Sequence, residues 1–199
     1  PVVVHIIHSG NGQPDSLPAS RVLQQMEQLF NDYRKRPYTK GYSSGVDTRI
    51  EFSLATKDPS GNPPPGITYT RYTDAGLTQP RANVSGSSNL LTTLKSNVGW
   101  PRNKYMNIWV IQYICPDDAT PSAQCGILGI SPFPNNSFDV DDGPTVISSY
   151  FGNAGGGQTS THEIGHYLSL YHTFQGGCSG TSNGTCGSGG DRGCDNPPV

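Results

Sequence analysis

Apart from His5, residues 2–7 form an unbroken apolar run, with no polar alternation. That is the pattern of a strand buried on both faces. A helical period follows: Ser20 stands where an N-cap is expected, and Val22, Met26, Leu29, Phe30 and Tyr33 then fall on one face. Residues 48–55 alternate, with Ile50, Phe52 and Leu54 on one side, and predict a half-buried strand. The Asp-Pro-Ser-Gly stretch at 58–61 predicts a turn, and residues 67–72 a short strand. Asn89 is placed to cap a second helix carrying Leu90, Leu91, Leu94 and Val98. Residues 107–114 predict a strong strand, 126–131 a short edge strand ended by Pro132 and Pro134, and 145–149 another short strand. After the glycines at 155–157 a last helix runs to about Leu170, and from Gln175 onward no apolar period remains. Strands and helices in rough alternation predict a mixed α/β (α+β) fold, a mostly parallel sheet with helices packed on it.

Composition narrows the classes. A chain of 199 residues suits one domain, with room for two subdomains about a cleft. Charged residues are 14% and net charge is −2, with no basic stripe, which argues against nucleic acid as a partner. No apolar run approaches the roughly 18 residues that span a bilayer. The chain starts at Pro1 and passes directly into a strand, so it reads as a mature or trimmed chain. Cysteines stand at 115, 125, 178, 186 and 194, three of them in the Gly- and Ser-rich tail. Disulfides there imply an oxidising, extracellular compartment, and the odd count leaves one thiol free or paired outside the chain.

The chemistry is concentrated in residues 162–172, His-Glu-Ile-Gly-His-Tyr-Leu-Ser-Leu-Tyr-His. At about 100° per residue, His162 and His166 lie roughly 40° apart on a helix and share a face. Ile164 and Leu168 lie opposite, where they are expected to be buried, and Gly165 and Ser169 leave room beside the histidines. Glu163 stands beside the pair, able to reach a water at the metal without being a ligand, as a general base requires. His172 would lie about 15 Å up the axis on a continuous helix, out of reach of the same ion. It joins the pair only if the backbone reverses soon after Leu168, and Ser169 tolerates such a reversal less well than glycine. Three neutral imidazoles leave the fourth zinc position open for water, the mark of a catalytic rather than a structural site. The competing reading makes Glu163 the far end of a capping box begun by Ser160.

This motif resembles HExxHxxGxxH of the metzincin zinc peptidases, with Ser169 at the glycine. More narrowly the chain is similar to the pappalysin family, in its microbial ulilysin- and mirolysin-like branch. The resemblance extends to residues 2–8, 47–52, 58–63, 107–110 and 172–178. It implies a twisted, mixed five-stranded sheet with packed helices above an active-site cleft. The upper subdomain would comprise residues 1–168 and the start of a loop-rich lower subdomain residues 169–199. It further implies calcium after the motif, secretion as a zymogen, and endopeptidase action on proteins and peptides. Metzincins carry a methionine turn downstream of the motif. Here Met26 and Met106 both lie upstream, so the lower subdomain is expected to be truncated, the chain being a fragment, a product of self-cleavage, or one piece of a nicked enzyme whose second piece is its partner. The expected function is therefore a secreted zinc endopeptidase, with His162, His166 and His172 on the metal and Glu163 activating the attacking water. The alternative is a non-catalytic zinc-binding fragment or an adhesin or toxin component.

Other residues are weaker candidates. Asp191 and Asp195 offer hard oxygen ligands for calcium. Asp139, Asp141 and Asp142 lack the spacing of a calcium loop and read as surface. Gly126, Ile127, Leu128 and Gly129 are candidates for the upper rim of the cleft, pairing with an extended substrate as an added strand. His5 and His8 read as structural, the glycines at 155–157 as a close approach to the helix, and Cys115 and Cys125 as a possible bridge.

Overall fold

The computed structural model describes residues 1–13, 15–37, 39, 42, 45–63, 66–85, 90–118, 120, 122–134, 139–153 and 158–175. Its strands are β1 (Val2–His8), β2 (Ile67–Arg71), β3 (Arg81–Asn83), β4 (Met106–Ile111), β5 (Tyr113–Cys115), β6 (Gly129–Ile130) and β7 (Thr145–Ile147), and its helices α1 (Ala19–Tyr33), α2 (Leu90–Val98) and α3 (Gln158–Tyr167). A mixed five-stranded sheet runs β2-β1-β4-β7-β6. Four of these strands are parallel, and β6 pairs antiparallel with β7 at one edge.

Both faces of the sheet are covered, which is why β1 carries no polar alternation. Val2, Val4 and Ile6 face Val22, Met26 and Leu29 of α1, Val110 of β4 and Ile164 of α3. On the other face Ile7, Trp109, Ile111 and Ile147 meet Leu94 of α2. His5 belongs to this second face. Its ring is buried between Thr68 Oγ1 at 2.7 Å and Asn107 Oδ1 at 2.9 Å, and stacks on Trp109. The acidic loop before β7 is tied to α2 by Lys95. Its ammonium donates to the carbonyls of Asp141 (2.7 Å) and Gly143 (2.6 Å) and lies over the Trp109 ring.

Several local expectations are corrected. Pro18, not Ser20, occupies the N-cap of α1, and no side chain caps that end. Phe30 is only half-buried, beneath the Arg36 guanidinium, while Gln25 turns inward and accepts the Gly152 amide. Residues 48–55 contribute a single bridge, Val2 to Leu54, instead of a strand, and Arg49 interrupts them with a left-handed φ of 58°. The predicted strand 107–114 is two strands in different sheets, β4 in the large sheet and β5 pairing with β3. Strand β3, three residues long, has too short a pattern to be seen in advance. Asn89 lies outside the described residues. The Leu90 amide, at the start of α2, donates to Asn83 Oδ1 from β3 at 2.8 Å. The turn at 58–61 forms, with Asp58 Oδ1 accepting the amides of Ser60 and Asn62. Cys115 and Cys125 are joined by a disulfide.

Candidate active site

Helix α3 is held from behind by α1. Ile164 is fully buried in the core, Tyr33 Oη donates to the Thr161 carbonyl at 3.1 Å, and Thr161 Oγ1 donates to Asp32 Oδ2 at 2.6 Å. These contacts fix the rotation of the helix and turn His162 and His166 outward. Ser160 lies inside the helix, buried, so it does not begin a capping box.

The helix ends at Tyr167, earlier than expected, in a Schellman motif. The Leu170 amide donates to the Gly165 carbonyl and the Ser169 amide to the His166 carbonyl, each at 2.9 Å. Ser169 occupies the left-handed position with φ 74°, the site where helices usually carry glycine. Leu168 consequently lies past the helix and is exposed, not buried opposite the histidines. The reversal swings the chain back so that His172 meets His162 and His166. Their three Nε2 atoms stand 3.0 to 3.1 Å apart.

A triangle of ring nitrogens this tight is not a hydrogen-bond network. His166 Nδ1 is 2.7 Å from the Leu170 carbonyl, so Nδ1 carries the hydrogen and Nε2 presents a lone pair. Burial, and then the neighbouring rings of His166 and His172, hold the His162 pKa below the ordinary imidazole range. Three imidazoles bound tetrahedrally to one zinc at about 2.0–2.1 Å stand roughly 3.3 Å apart. The triangle fits such an ion with the angles slightly closed, and the carbonyl bond to His166 Nδ1 is the outer support that metal-binding histidines receive.

The Glu163 side chain lies against edge strand β6, close to Gly129, in the cleft that the three histidines also line. Its carboxyl is buried among groups that offer it no charge, and burial raises its pKa to about 7. A cleft of about 490 Å³ is shared by Glu163, the three histidines and the rim residues Ile127, Leu128 and Gly129. Of the four rim candidates, Gly126 is not among the residues lining it. A second hollow of about 430 Å³ lies on the other side of His162, against Asp32 and Tyr33 of α1. Phe133 stacks on Tyr171 with centroids 4.3 Å apart and meets the His166 ring edge-on, bracing the reversed segment. No sequence signal marked Phe133, Tyr171 or the Leu170 carbonyl, because their roles exist only once the chain has reversed. His5 and His8 lie on β1, outside this cleft. Asp191, Asp195, the glycines at 155–157 and the cysteines at 178, 186 and 194 fall outside the described residues.

The peptidase M43 family, described as pregnancy-associated plasma protein-A, matches residues 92–198. The chain belongs to this family, the pappalysins, within the metzincin metallopeptidases. It is 41% identical over 83 residues to extracellular metalloprotease 1 of Coccidioides posadasii, a stretch covering 37% of this chain and 27% of that protein. It is 30% identical over 151 residues to an extracellular metalloprotease of Pyricularia oryzae, covering 70% of this chain and 47% of that one. The chain thus spans about half or less of the length of these fungal relatives. Mature mirolysin of Tannerella forsythia, solved in complex with a cleaved peptide, superposes with a TM-score of 0.69 at 28% identity, over 92% of this chain and 68% of mirolysin.

Proposed function

We propose that this chain carries the catalytic centre of a secreted, zinc-dependent endopeptidase. The observation that supports it most is the meeting of His162, His166 and His172 through their Nε2 atoms, 3.0 to 3.1 Å apart, in a cleft that also holds Glu163. When bound by these three imidazoles, zinc supplies Lewis-acid polarisation of the scissile carbonyl and lowers the pKa of the attacking water. Glu163 takes that water's proton on its carboxylate and later passes it to the leaving amine. Polypeptide substrate lies extended along the free edge of β6, adding a strand beside Ile127, Leu128 and Gly129. The reversal at Ser169 marks the boundary between an upper subdomain, residues 1–168, and the beginning of a lower one. The Cys115–Cys125 disulfide and the extracellular naming of the fungal relatives support secretion. Among the described residues no helix is long and apolar enough to cross a membrane.

The test is cleavage of a denatured protein with and without a chelator, repeated with Glu163→Ala. Chelator-sensitive cleavage that falls by about 10²-fold or more in Glu163→Ala is the expected result. Bound zinc without Glu163-dependent cleavage would make the chain a zinc-binding module instead.

A further inference from the structure

Gly129 lies on edge strand β6, paired with Val146 of β7. Its φ is not in the left-handed region, so backbone conformation does not demand glycine there. Space does. A β-carbon at position 129 would stand 2.6 Å from Glu163 Cγ, 2.8 Å from Oε1 and 3.0 Å from Cδ. The first two are closer than real β-carbon contacts come, and the third is tighter than nine in ten of them. The clashing atoms belong to the outer part of one flexible side chain, not to backbone, so the fold accepts a methyl group here if the Glu163 carboxyl gives way. Among the described residues no hydrogen bond tethers that carboxyl, and Glu163 is only 7% exposed. Its position is therefore set by packing, and the missing side chain at Gly129 is the wall against which it rests.

We propose that Gly129 is a positioning residue: the absence of a side chain at this point of the rim lets the Glu163 carboxylate stand where it can serve the attacking water. This rests on the reading of Glu163 as the base. It separates two roles that a rim glycine combines, contact with substrate and placement of the base, and assigns the second to position 129. A misplacement of about 1 Å in a catalytic group costs on the order of a hundredfold in rate.

The experiment compares the full chain with Gly129→Ala and Glu163→Ala. Gly129→Ala is expected to keep its zinc content and its melting midpoint within about 3 °C. Its kcat on a peptide substrate is expected to fall roughly ten- to hundredfold, with KM changed less than about threefold. Its crystal structure is expected to show the Glu163 carboxyl displaced by about 1 Å or more with the β6–β7 pairing intact. A loss confined to KM, an undisplaced carboxyl, or a fall in melting midpoint beyond about 10 °C would each overturn the proposal. If Glu163→Ala retains full cleavage, the assignment of the base itself fails. If Glu163→Ala is inactive while Gly129→Ala is fully active, only the role of Gly129 fails.

Discussion

The residue on which the histidine triangle turns is not a histidine. Ser169 holds the left-handed conformation that ends α3, at a position where an L side chain costs about 1–2 kcal/mol and glycine does not. Replacing Ser169 by glycine is expected to stabilise the chain by up to about 1 kcal/mol in urea unfolding, since glycine also loses more chain entropy on folding. Replacing it by valine is expected to destabilise by about 1–2 kcal/mol and to weaken zinc binding, because His172 would leave the triangle. His5 makes a different prediction. Burial lowers its pKa from 6.5 to about 4, partly offset by the hydrogen bond with Asn107. The folded ring stays neutral while the unfolded chain takes up a proton first as pH falls. The stability it contributes is complete above pH 6.5 and is lost as pH drops from 6.5 toward about 4. The full loss is on the order of 3 kcal/mol. Urea midpoints at pH 7.5 and 4.5 test this, and in His5→Gln the difference between them is expected to shrink.

At the scale of elements, α1 and α3 act as one unit. Ile164 fills the core between them, and the Asp32–Thr161 and Tyr33–Thr161 hydrogen bonds lock the rotation of α3. Ile164→Ala is expected to cost about 2–5 kcal/mol, the range for emptying a fully buried branched site, measurable by denaturant unfolding. Thr161→Val removes one donor and leaves the Asp32 carboxylate without it. It is expected to cost about 1–2 kcal/mol and to leave the zinc content unchanged if Ile164 alone suffices to orient the helix. On the other side of the site, β6 is short, and the rim is placed by its antiparallel pairing with β7, the Ile127–Ile114 bridge to β5 and the nearby Cys115–Cys125 disulfide.

At the scale of the whole molecule, the sheet carries α1 and α3 on one face, and the cleft opens between α3 and the sheet edge. An ion bound at the triangle joins α3 to the segment after the reversal, so its binding free energy adds to the stability of the fold. Zinc at a hundred times its dissociation constant contributes about 2.7 kcal/mol, and for a chain of this size each kcal/mol moves the melting midpoint about 2–4 °C. Chelation is therefore expected to lower the midpoint by roughly 5–10 °C, reversed by added zinc and absent in His172→Ala.

What could be read in advance was whatever depends on near neighbours along the chain. The strand at residues 2–7 follows from an unbroken apolar run, and the face of α1 and the shared face of His162 and His166 from the 3.6-residue period, which local sequence carries. The need for a reversal before His172 followed too, since a straight helix cannot bring that ring to the others. The split of 107–114 between two sheets was not legible, nor the capping of α2 by Asn83, nor the loss of the strand at 48–55. Each is decided by which distant segment comes to lie alongside, and an apolar pattern says only that something must. The same holds for Gly129 against Glu163 and for Phe133 against Tyr171. The sequence alone determined the three histidines that we propose hold zinc, and the acid beside them. Tertiary structure alone decided where the rim and the acid meet, because contacts between segments remote in the chain are set by packing and not by local period.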